Sequence, residues 1–199
     1  MSTVRQPKLT EAEYLAIERA APTKSDFYDG EMFAMAGARR NHNLLVANVV
    51  GELREQLRKS PCEVYPSDMR VRVGKTGLYT YPDAVVVCGE PEFLDDTQDT
   101  LLNPTLLVEV LSESTATYDR GFKSSCYRQL KSLKEYVLIE QEQPRVELYQ
   151  RSRGKWTLQD AGELTASVTL ASIRCTLKLA AVYEKIGFKK QIQQPGPGR

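Results

Sequence analysis

The sequence predicts an α/β fold in which helices cover a β-sheet on both of its faces. The first observation is a pair of short apolar, β-branched runs, 83–88 (DAVVVC) and 106–111 (LLVEVL). Runs of this kind are typical of central strands that are covered on both faces. The second is that apolar residues recur at helical spacing both before and after the two runs, which supplies the covering layers. The third is an ordinary globular composition, with 41% hydrophobic and 27% charged residues in 199.

The first third of the chain contains two predicted helices with a hairpin between them. Thr10 and Glu13 have the spacing of a capping box before an apolar stripe, which predicts a helix over Glu11–Ala20. Asp29-Gly30 is a hairpin-turn dipeptide and predicts two short strands around it. Apolar residues at helical spacing then predict a longer helix over Arg40–Lys59.

The rest of the chain is predicted mostly as strands. Besides the two central runs, β-strand patterns occupy Cys62–Tyr65, Met69–Val73, Glu135–Glu140, Arg145–Arg151 and Trp156–Gln159. Two more helices are expected, over Tyr118–Leu130 and Leu179–Phe188. We therefore expect a single domain over residues 1–188, followed by a flexible polar tail at 189–199.

Composition excludes several classes of site. The four cysteines include no CxxC pair and there is one histidine, which argues against a zinc site. No apolar stretch is long enough to suggest export or a membrane span, so we expect a cytoplasmic protein. Its thiols should then be reduced, with Cys88 and Cys175 in the core. The net charge of +1 argues against binding nucleic acid by bulk electrostatics, so any basic surface must be local.

Two carboxylates stand where apolar residues are expected. Glu109 lies in the middle of LLVEVL, and Asp83 opens DAVVVC after Pro82. A buried carboxylate is costly unless it is paired, hydrogen-bonded or bound to a metal. If the two strands are neighbours, both acids face one end of the sheet, and oxygen ligands without histidine favour Mg²⁺ or Mn²⁺. The structural alternative is that Asp83 caps a turn and Glu109 pairs with a buried Arg or Lys.

A polar stripe follows the Glu109 strand. Asp119, Lys123 and Tyr127 are spaced four apart and would share one face of a helix. A lysine that reaches a carboxylate site can orient a water nucleophile or stabilise a pentacovalent phosphate. On spacing alone, a solvated Asp-Lys pair on the helix surface is an equal alternative.

Seven segments carry a resemblance to a known family. They are DFYDGEMFAMAG at 26–37, His42, SDMRVRV at 67–73, YPDAVVV at 81–87, NPTLLVEVLSEST at 103–115, DRGFKSSCYRQL at 119–130 and EYVLIEQEQPRVELY at 135–149. In these segments, and over residues 8–187 as a whole, the sequence resembles the Uma-type restriction endonuclease family, a branch of the PD-(D/E)XK nuclease superfamily. The resemblance implies a restriction-endonuclease-like α+β core, with a central mixed β-sheet flanked by helices.

The resemblance also implies an activity and the residues that carry it. The expected function is metal-dependent endonuclease hydrolysis of DNA phosphodiester bonds, with Mg²⁺ or Mn²⁺ held by Asp83 and Glu109. Lys123 is the expected catalytic lysine. In the superfamily's usual pattern the lysine comes two residues after the second acid, where this chain has Leu111. A homodimer is expected, because two symmetric sites are the simplest way to cut both strands of a duplex.

Further residues match family positions near the site. Glu31, Asp26, His42, Tyr127 and Ser112 are the expected accessory residues. Asp26 is one methylene shorter than the glutamate usual in the family. That departure, together with Leu111 at the usual lysine position, motivates a rival function. The rival is a catalytically weak or inactive nuclease-fold protein that serves as a nucleic-acid-binding or assembly module.

Overall fold

The computed structural model describes residues 8–188, in which two larger β-sheets and one small sheet are combined with short helices. The helices are α1 (Glu11–Ala20), α2 (Arg40–Leu57), α3 (Ala116–Tyr118), α4 (Ser124–Tyr127) and α5 (Leu179–Val182), with a π-helical turn at Asp119–Lys123. The strands are β1 (Ser25–Tyr28), β2 (Glu31–Ala34), β3 (Cys62–Pro66), β4 (Arg70–Val73), β5 (Leu78–Thr80), β6 (Ala84–Cys88), β7 (Thr100–Leu101), β8 (Leu106–Leu111), β9 (Glu135–Glu140), β10 (Val146–Ser152), β11 (Lys155–Ala161), β12 (Ser167–Leu170) and β13 (Cys175–Lys178).

The central sheet has six strands in the order β11-β10-β9-β8-β6-β3. Strands β8 and β9 are parallel, and the other neighbours are antiparallel, so the sheet is mixed. Every residue of β8 is buried, because this strand is covered on both faces. The predicted α+β fold with a central mixed sheet and flanking helices is therefore confirmed.

The two faces of the central sheet bury different partners. Alternate residues of β8, namely Leu106, Val108 and Val110, pack with the buried side of α2 and with β12, β13 and α5. Leu107 and Leu111 point to the opposite face and pack with Tyr127 of α4. Since side chains alternate along a strand, Glu109 belongs to this second face. The alternation thus directs the carboxylate towards the segment that carries the π turn.

A second sheet brings the N-terminal hairpin to the same side of the molecule. Its order is β2-β1-β5-β4-β7, and β4 and β7 are its parallel pair. Helix α1 covers this sheet by stacking Tyr14 on Phe27 of β1, with ring centroids 4.6 Å apart. The capping box predicted for α1 is present, since Thr10 accepts from the amide of Glu13 at 3.2 Å and the Glu13 carboxylate accepts from the Thr10 amide at 2.8 Å.

Several predicted elements differ from the structure. The helix expected over Tyr118–Leu130 is interrupted by the π turn, and the helix expected over Leu179–Phe188 ends at Val182. Lys185, with a φ of 60°, has a left-handed backbone that cannot continue a helix. Strands β5 and β7 were not predicted because they have only three and two residues, and the hairpin of β12 and β13 was missed. The predicted tail at 189–199 lies outside the described residues.

The prediction that all cysteines are reduced is wrong for two of them. Cys62 and Cys88 lie directly opposite each other on β3 and β6, with Cα atoms 4.0 Å apart, and form a disulfide. Their separation of 26 residues hides this cross-strand contact from sequence reasoning. Cys126 and Cys175 are free and buried. Over residues 8–188, no helix is long and apolar enough to cross a membrane.

Candidate active site

Glu109 is the centre of a buried polar cluster at one end of the central sheet. Its side chain is 5% exposed. One oxygen, Oε1, accepts a hydrogen bond from the Tyr127 hydroxyl at 2.7 Å and another from the Lys123 ammonium at 3.1 Å. Both bonds fall on the same oxygen, so neither uses Oε2. The pairing of Glu109 with a buried lysine, which the structural alternative predicts, is thus present, and the partner is the lysine that the family resemblance makes catalytic.

Asp83 lies beside Glu109 because their strands are neighbours. Strand β6 pairs with β8 in a register that matches Ala84 with Val108, so the next position places Asp83 across from Glu109. Asp83 Oδ2 accepts a hydrogen bond from the Val110 amide at 2.7 Å. Its other oxygen, Oδ1, is 3.3 Å from Nε2 of His42 in the first turn of α2. The two carboxylates predicted from the apolar runs are therefore brought together.

The π turn supplies the cation of the cluster. Lys123 Nζ is 3.1 Å from Glu109 Oε1 and 3.5 Å from Asp119 Oδ1. Both members of the Asp119-Lys123 pair are buried, so the alternative of a solvated surface pair is wrong. Burial alone would lower the pKa of Lys123, but Glu109, Asp26 and Asp119 together raise it above its ordinary value. The lysine therefore stays charged. Departures from the α-helix such as this turn recur at functional sites.

The carboxylates of the cluster outnumber its lysine. Burial raises the pKa of Glu109 to about 8, and the charges of Asp119 and Asp83 add to that rise, whereas Lys123 opposes it. Burial likewise raises the pKa of Asp119, again against the effect of Lys123. An excess of buried negative charge is relieved either by protons or by a bound cation.

Asp26 joins the cluster from the other sheet. It is 7% exposed on β1, and burial raises its pKa while the charge of Lys123 lowers it. Its Oδ1 is buried and has no hydrogen-bond partner within residues 8–188. A buried oxygen without a donor is the kind of group that a bound ion or water satisfies. Asp26 thus adds an unsatisfied oxygen to the neighbourhood of Lys123.

The remaining accessory residues differ in where they lie. His42 and Tyr127 contact Asp83 and Glu109 directly. Glu31 is exposed at the start of β2, and within the described chain its side chain forms no hydrogen bond or ion pair. Ser112 follows β8, and its hydroxyl is 3.0 Å from those of Ser114 and Thr115. Glu31 and Ser112 therefore make no contact with the buried carboxylates.

Asp119 is a residue of the cluster that sequence reasoning noted only as part of a polar stripe. The available signal was its spacing of four from Lys123, which brings the two side chains together in the structure. Asp83 is also close enough that its charge contributes to the raised pKa of Asp119. The site thus takes acids from β1, the start of β6, β8 and the π turn.

The carboxylate oxygens of the cluster are the ligands that the site offers to a divalent cation. Within residues 8–188, no three His, Cys, Asp or Glu side chains are arranged as a ready-made metal-binding group. Mg²⁺ does not need such a cage, since it is often held by one or two carboxylates and keeps several waters. Asp83 and Glu109 supply two adjacent carboxylates, and the unsatisfied oxygen of Asp26 is in the same cluster. The residues fit a hard divalent ion.

Comparisons with known proteins show the family and the fold of the chain. The Uma2 family, described as "Putative restriction endonuclease", matches residues 11–181. "Uncharacterized protein sll1609" of Synechocystis sp. is 43% identical over 143 residues, 72% of this chain and 81% of that protein. "Uncharacterized protein slr1290" of the same organism is 31% identical over 183 residues, 92% and 95% of the two chains. A crystal structure from Anabaena variabilis ATCC 29413, described as a "putative nuclease belonging to DUF820", shares the fold. Its TM-score is 0.72 at 16% identity, over 88% of this chain and 97% of that one.

Proposed function

The chain belongs to the Uma2 restriction endonuclease family, and from that premise we propose that it is a divalent-metal-dependent endonuclease that hydrolyses phosphodiester bonds of DNA. One observation carries the proposal. Three distant segments bring Asp83, Glu109 and Lys123 into one buried cluster, with Lys123 3.1 Å from Glu109. Paired carboxylates with an adjacent lysine are suited to phosphoryl transfer, because they can bind a cation and stabilise negative charge on phosphorus.

Asp83 and Glu109 would hold the metal, which we propose is Mg²⁺ or Mn²⁺. When bound, such an ion lowers the pKa of a coordinated water and offsets the charge of the phosphate. The protein orients the acids beforehand. Val110 and His42 each engage one oxygen of Asp83, and Lys123 and Tyr127 both engage Oε1 of Glu109. These contacts restrict how either carboxylate can rotate.

Lys123 would act as the electrostatic stabiliser. Its pKa is raised by the surrounding acids, so it is an ammonium throughout the physiological range. In hydrolysis, a water oxygen loses a proton to solvent and bonds to phosphorus, the bond to the leaving oxygen breaks as that oxygen takes up a proton, and negative charge grows on the other phosphate oxygens. A fixed ammonium beside them stabilises that charge. Lys123 arrives on the π turn and takes the role that a lysine at the position of Leu111 would have.

The rival function is a nuclease fold without turnover, and the presence of the lysine supports the catalytic function over it. A decayed site would not be expected to keep a buried ammonium in contact with Glu109, because burying a charge is costly. The homodimer remains a prediction, because it was argued only from the need to cut both strands of a duplex. Its measurement is the mass of the protein in solution by light scattering, where a dimer mass supports it and a monomer mass contradicts it.

The test is a calorimetric titration of Mn²⁺ into the wild type and into the variants Asp83→Asn and Glu109→Gln, with a plasmid-nicking assay at the same metal concentrations. The matched control is Glu135→Gln, which also neutralises a buried carboxylate of the central sheet but lies where β9 begins. We expect both site variants to lose Mn²⁺ binding and nicking, and the control to keep both.

Each outcome decides between the functions. Metal binding with metal-dependent nicking, lost in both site variants, supports the endonuclease. Metal binding without cleavage of the plasmid, or of a labelled single strand assayed in parallel, would favour the non-catalytic rival. An absence of metal binding in the folded wild type would contradict the metal site, and would leave Asp83 and Glu109 as structural groups.

A further inference from the structure

An uncovered aromatic side chain stands on the edge strand next to the site. Phe33 lies on β2, the outermost strand of the five-stranded sheet, and is 49% exposed. Of its neighbours on the strand, Met32 is partly buried against the cluster of Tyr14 and Phe27, and Ala34 is exposed. Single exposed apolar residues are common and need no explanation. The position of Phe33 relative to the site is what sets it apart.

The strand register places Phe33 on the side of the sheet that faces the carboxylate cluster. Phe33 is directly opposite Asp26 in the antiparallel pair of β1 and β2. Opposed residues of such a pair project to the same face, with Cβ atoms about 4.5–5.5 Å apart. Asp26 is the buried acid whose pKa responds to Lys123. Phe33 is therefore the next side chain outwards from the cluster.

A second residue fixes the same orientation. Tyr28 lies two positions after Asp26 and so projects to the same face. Its ring meets that of Phe122, next to Lys123 in the π turn, with centroids 4.7 Å apart. The opposite face of β1 is occupied by α1, where Tyr14 stacks on Phe27. The face that carries Phe33 is thus the site face, and Phe33 is its uncovered outer end.

The chain that follows Phe33 returns to the site with two exposed arginines. It ends at His42, whose Nε2 is 3.3 Å from Asp83. Between these points lie Arg39 and Arg40, both exposed, and neither forms an ion pair with any residue from 8 to 188. Arg40 makes only 3.4 Å contacts, to the Asn41 side chain and the Lys185 carbonyl. In a chain of net charge +1, the two arginines concentrate positive charge in the segment that leads to His42.

We propose that this surface, Phe33 with Arg39 and Arg40, binds single-stranded DNA, with Phe33 stacked on an unpaired base and the arginines on flanking phosphates. The inference rests on the proposed nuclease function and specifies its substrate. The faces of bases in a duplex are covered by their neighbours, so a ring that stacks there must first separate two base pairs, whereas an unpaired base offers its face without that cost. Arginines without acidic partners match a polyanion.

The first experiment measures DNA binding separately from cleavage. Fluorescence anisotropy with a labelled 20-nucleotide single strand and the matching 20-base-pair duplex would be recorded in EDTA. We expect Phe33→Ala to weaken single-strand binding about tenfold, the order of one stacking contact, and to change duplex binding much less. Phe33→Trp should restore the affinity. Leu158→Ala is the matched control, since Leu158 is an equally exposed apolar residue, at 54%, on the edge strand β11 of the other sheet.

The second experiment tests the arginines by salt dependence. The slope of log K against log salt for single-strand binding should fall by about 0.7 for each phosphate contact removed. Arg39→Ala with Arg40→Ala should therefore flatten the slope by about 1.4. Arg54→Ala is the control, because Arg54 is exposed near the other end of α2 and forms no ion pair within the described residues. Its substitution should leave the slope unchanged.

The outcomes separate this inference from the proposed function. Unchanged single-strand affinity in Phe33→Ala, or an equal loss for both DNA forms, would overturn the stacking role. A wild-type dimer that Phe33→Ala dissociates would give this surface to a second copy of the chain and overturn the inference as well. Manganese titration of Phe33→Ala should match the wild type. If the wild type itself binds no Mn²⁺, the nuclease proposal fails, while the anisotropy result still decides whether the surface binds DNA.

Discussion

Glu109 and Glu135 are both buried carboxylates of the same parallel strand pair, yet their surroundings are opposite. Glu135 begins β9, and its two oxygens accept separate hydrogen bonds from the uncharged groups Gln150 Nε2 and Ser172 Oγ. Glu109 receives both of its bonds on a single oxygen, one of them from Lys123, and shares its space with other acids.

The contrast between Glu109 and Glu135 indicates which of the two buried acids is arranged for chemistry. A carboxylate whose oxygens are each bonded to neutral donors is satisfied by the fold, and such a group adds stability at its place in the sheet. A carboxylate crowded by like charges keeps an unfavourable interaction that a cation can remove. The proposed metal site therefore lies where the fold leaves repulsion between buried acids. Glu135, at the other end of the strand pair, serves as the reference for a buried acid without such repulsion.

The largest expected effect comes from removing the cation of the crowded end. Lys123→Met should lower the rate of DNA cleavage by about 10²–10³-fold, the usual loss for one transition-state stabiliser. It should also lower the free energy of unfolding by about 3–5 kcal/mol, because buried acids lose their partner. Single-turnover cleavage and urea denaturation measure the two effects. Wild-type cleavage by a folded Lys123→Met protein would contradict the assigned role.

The next effect distinguishes the two glutamates by pH. The pKa of Glu109 is raised from 4.5 to about 8 by burial, so the folded protein holds a proton that the unfolded chain releases. Without metal, the free energy of unfolding should therefore fall as the pH rises from 4.5 to 8. Raised pKa values of Asp26 and Asp119 act in the same direction.

Denaturation in EDTA over this pH range is the measurement. Glu109→Gln should reduce the dependence to the part that Asp26 and Asp119 contribute, because glutamine does not titrate, whereas Glu135→Gln should retain the whole of it. If stability is flat in the wild type, or if both variants lose the slope alike, the contrast between the two ends of the strand pair is incorrect.

The sequence predicts the burial of Glu109 but not that of Glu135. Glu109 and Asp83 were found because each interrupts an apolar run, and a buried charge in such a run needs a partner. Glu135 gave no such signal, since an acid at the start of a strand is ordinary. Its burial depends on Gln150 and Ser172, which arrive from β10 and from the turn after β12.

Other features of the site depended on pairings that no local pattern specifies. The neighbourhood of β6 and β8 was a condition of the metal-site prediction and could not be deduced from either run alone. The π turn that presents Lys123 lies where a regular helix was predicted, and its Phe122 packs against Tyr28 of β1, a contact that spacing along the chain does not reveal. The exposure of Phe33 likewise follows from the position of β2 at a sheet edge.

The smallest expected effects compare one hydrogen bond at each end. Tyr127→Phe removes the 2.7 Å bond to Glu109 and should lower the free energy of unfolding by about 1–3 kcal/mol, because a fully buried acceptor loses a donor. Ser172→Ala removes a donor from Glu135 at a more accessible place and should cost about 0.5–1.5 kcal/mol. Urea denaturation measures both losses.

Manganese titration gives the decisive contrast between the two variants. Tyr127→Phe frees Oε1 of Glu109 from one of its two restraints and should weaken Mn²⁺ binding, whereas Ser172→Ala should leave it unchanged. A weaker metal affinity in Ser172→Ala would mean that the two ends of the strand pair are coupled, and Glu135 could then no longer serve as the structural reference for Glu109.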